Sequence, residues 1–294
     1  MIMVKIADYK NGNVSVQIFS DGTKVRSYEG LPKPIFPESI DVKITNHCNL
    51  MCPYCHENSN RQGRHGDLET LSNALKDLPA GVELAIGGGN PLSHPMLQEF
   101  LGACKRKGWI TNITINQEHL YKKYYFYKVN CFIEQNLING IGVSIPIERT
   151  PSYKKALSLG NNVVFHIVAG IHDISILDEI IDAGGTKVLI LGYKRFGRGE
   201  KYYNKKIEDN IKQWYMYLPK YIGKLLLAFD NLGIEQLNIR RLFTDEEWSK
   251  FYMGDDFAYT MYVDAVEQKY AKSSRDVERK NFNKCSLLDY FKEV

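Results

Sequence analysis

The chain has 294 residues, 44% of them apolar and 24% charged, enough to bury a large core without disulfide staples. The formal charge is +4, from 38 Lys and Arg against 34 Asp and Glu, too small for a protein that coats nucleic acid, and no nucleic-acid partner is indicated. No apolar run reaches the roughly 18 residues of a membrane span, and the opening MIMVKIADYK lacks a secretory signal's apolar stretch, so a soluble, cytoplasmic protein with no membrane partner is expected.

Residues 1–36 read as a small antiparallel β meander. VKIADY, VSVQIF and KVRSYE alternate apolar and polar residues, with turn signals at Asn11-Gly12 and Asp21-Gly22. LPKPIFP, three prolines in seven residues, is a stiff connector. From residue 39 the pattern becomes strand, loop, helix, repeated. Strands are predicted at 40–45, 82–86, 110–115, 141–147, 163–169 and 187–192. Helices are predicted at about 68–79, 95–107, 117–138, 152–159 and 173–183, with Gly108, Gly160 and Gly184 at C-caps. Apolar strands alternating with helices imply an α/β fold, a parallel sheet covered by helices. Six units are too few for a closed eight-fold barrel, so a partial (β/α)6 barrel is expected.

The expected division is a meander at 1–36, a core at 39–200 and a mixed α/β C-terminal extension at 201–294 that packs on the core. In the extension, an amphipathic stretch at 207–232 precedes the helix-like TDEEWSKFYM. FAYTMYVDAV and QKYAKSS read as a terminal strand pair.

Three of the six cysteines, Cys48, Cys52 and Cys55, lie within eight residues, directly after the first parallel strand. Clustered thiols in a chain with no export signal favour metal binding over disulfides. On one tight loop they can hold three irons of a [4Fe–4S] cube and leave the fourth iron open to an external ligand. The other reading is a zinc site of these cysteines and His56, although zinc sites usually come as two separated ligand pairs and no second pair is present. A non-enzymatic iron–sulfur or zinc-binding protein is therefore the alternative of another class.

The spacing Cys48-x3-Cys52-x2-Cys55, with Tyr54 before the last cysteine, resembles the signature of the radical S-adenosylmethionine (SAM) superfamily. After the second strand, the run Gly87 to Pro95 (GGGNPLSHP) is similar to the family's Gly-Gly-Glu-Pro motif and His-Pro helix start, with Asn90 where the family has Glu. The resemblance assigns the SAM amino group to Gly88, Gly89 and Asn90, mostly through backbone. Looser matches fall at later strand ends. They are Asn116, Ser144 for ribose or carboxylate, His166 and Val168 for packing on adenine, and Gly192 and Tyr193 for the adenine edge. The resemblance covers about residues 39–193. It implies a radical SAM-type partial barrel with one [4Fe–4S] cluster and SAM as cofactors, and an electron donor such as a flavodoxin or ferredoxin. It also implies cleavage of SAM to methionine and a 5′-deoxyadenosyl radical that abstracts a substrate hydrogen.

Residues 193–206 hold six basic side chains against Glu200, a local +5 that carries the whole charge imbalance. Within them Lys194, Arg195 and Arg198 are either an anion clamp for SAM or substrate or a solvated loop. Cys104 and Cys131 follow apolar residues at helical spacing and read as small core residues, while Cys285 is isolated. His56 and His65, among polar neighbours, read as solvated loop residues, and His94 as a structural residue at a helix start. The substrate expectation leans to a peptide or protein, because the elements at both ends extend the open side of the barrel. A nucleotide-like or other anionic small molecule is the alternative.

Overall fold

Strand alternation at the N-terminus builds the expected meander. Strands β1 (Lys5–Asn11), β2 (Val14–Phe19) and β3 (Lys24–Ser27) pair antiparallel in that order. The computed structural model describes residues 3–147, 152–160, 162–282 and 286–292, and Cys285 lies outside them. One face of β2, formed by Val14, Val16 and Ile18, is buried against Ile110.

The six predicted core strands are all present and consecutive in one sheet. They are β4 (Ser39–Lys43), β5 (Glu83–Gly87), β6 (Ile110–Asn116), β7 (Gly140–Ser144), β8 (Val163–Val168) and β9 (Lys187–Leu191), each parallel to the next. Helices α1 (Leu68–Leu75), α2 (Leu97–Lys107), α3 (Gln117–Leu120), α4 (Lys123–Glu134), α5 (Tyr153–Leu157) and α6 (Ile176–Asp182) link them. Asp67 caps α1 by accepting from the amides of Glu69 and Thr70, and Gly108, at φ +72°, closes α2 as expected. The predicted helix 117–138 is two helices, because Lys122 adopts extended backbone between them. Ile40, Val42, Leu84, Ile86 and Ile113 face outward and share one core with Leu71, Leu75 and Leu101 of the helices. Each such buried aliphatic side chain contributes about 1.5–3 kcal/mol.

The C-terminal stretch does more than pack on this sheet; it extends it. After α7 (Arg198–Tyr202), α8 (Lys205–Tyr217) ends just before Leu218-Pro219, since proline cannot continue a helix. The single amphipathic stretch expected at 207–232 is thus broken, and β10 (Leu226–Phe229) joins β9 in parallel. Beyond α9 (Asn231–Gln236) and α10 (Asp245–Phe251), β11 (Thr260–Asp264) pairs in parallel with β4. The expected terminal pair is β11 with β12 (Lys269–Ala271), antiparallel, followed by β13 (Lys280–Asn281) and α11 (Leu287–Lys292). The sheet order is β10-β9-β8-β7-β6-β5-β4-β11-β12-β13. Among the described residues no helix is long and apolar enough to cross a membrane.

Closed eight-stranded barrels fill their interior with layers of branched side chains. Here the inward positions include Ala85, Asn112, Thr114, Gly140, Gly142 and Ala228, and these short side chains leave a lumen of about 640 Å³. At the amino ends of the strands the β2–β3 turn of the meander lines it. Lys187 Nζ donates to the Asp21 carbonyl, and Lys24 pairs with Glu83. Residues 253–256 and 272–275 of the extension line it elsewhere.

Candidate active site

The loop after β4 carries the three clustered cysteines and is folded back on itself by backbone bonds. Cys48 N donates to Asn60 O (2.8 Å), Asn60 N to Asn46 O (3.1 Å) and Asn46 N to Arg64 O (2.8 Å). Arg198, at the start of α7, clamps the loop from the other side. Its amide donates to Cys55 O (3.1 Å), Nε to Cys52 O (2.9 Å) and Nη2 to Ser59 O (3.0 Å). None of the five described cysteines is in a disulfide. Burial pushes the Cys48 thiol up, and the Arg198 charge is among the influences that pull it down.

All three thiols line one cavity of about 210 Å³. The same cavity is lined by Tyr54, Gly88, Gly89, Asn116, Ser144, His166, Val168, Gly192, Tyr193, Lys194 and Arg198. The structure thus brings together nearly every residue singled out in the sequence. Two stand apart. Asn90 is 1% exposed and does not line this cavity; its Oδ1 accepts from Leu92 N and its backbone amide donates to His47 O. Arg195 stacks its guanidinium 4.0 Å over the Tyr203 ring.

Lys194, Arg195 and Arg198 therefore do not converge as one anion clamp. Arg198 is committed to loop carbonyls, Arg195 to an aromatic face, and Lys194 Nζ donates to Ser274 Oγ (2.7 Å).

Local geometry explains the strand-end residues. Gly88 has φ +124°, and a Cβ there would lie 2.4 Å from the Thr45 carbonyl oxygen. A Cβ on Gly89 would lie 2.4 Å from the His47 carbonyl, so this strand end is pressed against the base of the cysteine loop. Asn116 caps α3 through Glu118 N (3.0 Å). Tyr193 is held by reciprocal bonds with the Gln236 amide and by its hydroxyl, which donates to Gly199 O (2.6 Å). It forms an apolar wall with Ile171 and Ile207, against which Tyr54 and Val168 pack. Gly142 makes room for the His166 ring, whose pKa burial lowers to about 4.

Sequence reasoning missed a buried ion network behind the loop. Lys43 Nζ meets Glu57 (2.6 Å) and Asp264 (3.0 Å); Tyr262 donates to Glu57 (3.2 Å) and Arg279 to Asp264 (3.2 Å). Burial works against ionising Glu57, but His56 and Lys43 outweigh it and hold the carboxyl well below the usual range. Burial and Lys194 push His56 toward its neutral form, which leaves Lys43 as the lasting counter-charge. Glu57 lies two residues from Cys55, so the network ties the loop to β4 and β11. Only residues far apart in sequence complete it, and no local signal marked them.

The histidines differ from expectation. His56 lines the cavity instead of standing in solvent. His65 is exposed yet bonded to Thr45 Oγ1 (2.8 Å), with its ring edge-on to His94 at 4.9 Å. His94 is structural as read: Nδ1 accepts from Met96 N, so Nε2 donates to Gly66 O (2.9 Å). Cys104 is fully buried with its thiol pushed up to about 12, whereas Cys131 is half-buried on α4.

A cysteine loop at the carboxyl end of the first strand of a parallel partial barrel, facing a cavity rimmed by later strand ends, marks a cofactor-dependent α/β-barrel enzyme. A family model described as the Radical SAM superfamily matches residues 42–129. The matched segment, which carries the cysteine loop and the glycine-rich strand end, is of the radical SAM type. Over 90 residues it is 36% identical to a PqqA peptide cyclase of Ruegeria pomeroyi, a stretch covering 28% of this chain and 22% of that one. Streptococcus suis SuiB bound to S-adenosylmethionine superposes with a TM-score of 0.63 at 17% identity, over 88% of this chain and 66% of SuiB. SuiB bound to precursor peptide SuiA gives 0.60 at 17% identity, over 88% and 65%. The enzyme anSMEcpe with bound AdoMet gives 0.55 at 12%, over 86% and 79%. At these identities the structural likeness is one of fold, and the chain spans just under two thirds of SuiB.

The superfamily implies a [4Fe–4S] cluster and SAM, and the residues fit both. The three thiols are reduced, share one pinned loop and front a cavity that polar strand-end residues and an apolar wall line on its other sides.

Proposed function

We propose that this chain is a radical SAM enzyme acting on a peptide or protein, with electrons from a flavodoxin- or ferredoxin-type donor. Bound at Cys48, Cys52 and Cys55, the cluster and SAM supply reductive cleavage of SAM to methionine and a 5′-deoxyadenosyl radical. The protein's share is orientation and exclusion of water. Backbone at Gly88 and Gly89 borders the cysteine loop and suits the SAM amino group; Asn90, used as a cap, contributes through its neighbours' backbone. Asn116 and Ser144 suit the polar groups of SAM, and Val168, Gly192 and Tyr193 suit adenine.

The observation that carries this reading is that the three thiols and these strand ends face one cavity. The peptide preference is supported by a wide lumen beside it and by the relatives named for peptide substrates. The spreading of Lys194, Arg195 and Arg198 over separate partners takes support from a nucleotide-like anion.

The test is anaerobic reconstitution, reduction and addition of SAM, with 5′-deoxyadenosine measured by chromatography. A peptide pool and a nucleotide pool are then added separately. The reading expects 5′-deoxyadenosine in every reduced sample and a mass change in peptides alone. Mass changes confined to nucleotides would overturn the peptide assignment.

A further inference from the structure

Asp41 is the central residue of β4, and its neighbours Ile40 and Val42 point outward into the core. Asp41 therefore points inward, where it lines the lumen and is reached by solvent there. Among the described residues its carboxylate makes no hydrogen bond or ion pair. The other acids lining the lumen are engaged. Glu83 pairs with Lys24, Asp256 with Arg275, and Asp255 accepts from the Tyr252 hydroxyl. Asp230 accepts from the amides of Gly192 and Gly233, and Asp21 from Thr23.

The nearby cation is Lys194, whose charge acts on both Asp41 and Asp230. The lumen is lined by Asp21, Asp41, Glu83, Asp230, Asp255 and Asp256 and by Lys187, Lys194, Lys272 and Arg275; with Lys24 on Glu83, five cations stand against six carboxylates, an excess of one negative charge. Burial pushes the Asp41 carboxyl up; Lys194 opposes this, and Asp230 and Asp256 add to it. Solvent reaches the Asp41 carboxylate, so it is open to a cation that enters the lumen.

The position is suited to a substrate group. Thr114, His166, Leu191 and Lys194 line both the lumen and the cavity that fronts the thiols. A group seated in the lumen thus lies directly beside the site proposed for SAM. Ala85 and Gly142 leave depth, and His166, kept neutral, adds no competing positive charge.

We infer that the lumen receives a cationic group of the substrate, an ammonium or guanidinium such as a lysine or arginine side chain carries, with Asp41 as the specificity-determining acceptor. The inference rests on the radical SAM peptide reading above and assigns the charge of the residue that enters the barrel.

The test uses the reconstituted protein with SAM and four probes: the Nα-acetyl methylamides of lysine, arginine, norleucine and glutamate. Binding is followed by ligand-observed NMR titration. The lysine or arginine probe is expected to bind at least tenfold more tightly than the norleucine probe, and glutamate most weakly. Asp41→Asn should erase the preference while leaving SAM affinity unchanged, because Asp41 does not line the thiol cavity. Its melting temperature should be equal to wild type or higher, since an unpaired carboxylate is removed. Asp41→Ser provides the same comparison should Asp41→Asn fold poorly. Norleucine or glutamate binding as tightly as lysine, or a preference that survives both variants, would overturn the inference. Formation of 5′-deoxyadenosine without probe is measured on the same samples. Its absence counts against the radical SAM reading and leaves probe selectivity to be judged separately.

Discussion

Arg198→Ala is expected to loosen the cysteine loop without unfolding the barrel. The wild-type guanidinium donates to the Cys52 and Ser59 carbonyls at 2.9 and 3.0 Å, two bonds from a charged donor in a half-buried setting. Hydrogen bonds to charged groups contribute about 1.5–3 kcal/mol each, and partial exposure argues for the lower end, so the pair is worth about 3 kcal/mol. At about 1.4 kcal/mol per tenfold, the open-to-closed ratio of the loop rises on the order of a hundredfold. Loss of the charge also leaves burial less opposed in raising the Cys48 thiol, which disfavours thiolate formation. Expressed globally, such a loss would lower Tm by about 5 °C in a chain of this size. Because the loop opens with the sheet intact, Tm should fall by less. The assay is iron and sulfide content after anaerobic reconstitution, followed by the rate of iron loss to a chelator. The variant should load incompletely and lose iron at least tenfold faster, and Arg198→Lys, which can reach one carbonyl, should recover part of the loss. Wild-type iron content and chelation rate in Arg198→Ala would refute the reasoning.

Lys43→Met removes the cation shared by Glu57 and Asp264, which are 14% and 1% exposed; Asp264 keeps Arg279, and Glu57 loses its lasting counter-charge. Breaking a buried pair costs about 3–5 kcal/mol, so Tm should drop by about 5–8 °C, measured by calorimetry. Gly89→Val drives a side chain into the His47 carbonyl, so iron loading should fail along with SAM binding; normal loading would count against the close approach. Burial lowers the His119 pKa from 6.5 to about 4, so in that window the unfolded chain binds a proton that the folded chain excludes. Stability should therefore fall as pH drops from 6.5 to 4, by about 1–3 kcal/mol from this group in urea titrations, and His119→Leu should reduce the slope, leaving the share of His166.

What was legible in the sequence was local. Cys48, Cys52 and Cys55 share a loop, and Gly88, Asn116, Ser144 and Val168 sit at strand ends, so spacing and strand pattern placed them together. The six core strands were visible because each is a short apolar run between helices. Of the two added parallel strands, β10 was not, and β11 was read as a strand without its pairing to β4. LLAF in β10 looks like part of an amphipathic helix until Pro219 is weighed, and β11 joins β4 across more than two hundred residues. Side-chain commitments were equally hidden. Arg198 reads as a free cation in GYKRFGRG, and its use of the Cys52 and Ser59 carbonyls depends on the folded approach of α7 to the loop. Asp41 reads as one polar residue in an apolar strand, and its interior setting emerges only when the lumen closes around it.

The central claim is that Cys48, Cys52 and Cys55 hold a cluster that cleaves SAM. It is tested most directly by anaerobic reconstitution, reduction with dithionite and measurement of 5′-deoxyadenosine, with each cysteine replaced by Ala in turn and Cys104→Ala as the control. Wild type and Cys104→Ala should carry about four irons and four sulfides and form 5′-deoxyadenosine, while the three loop variants should do neither. Intact SAM over a fully loaded, reduced cluster, or 5′-deoxyadenosine formed equally by a loop variant, would contradict it.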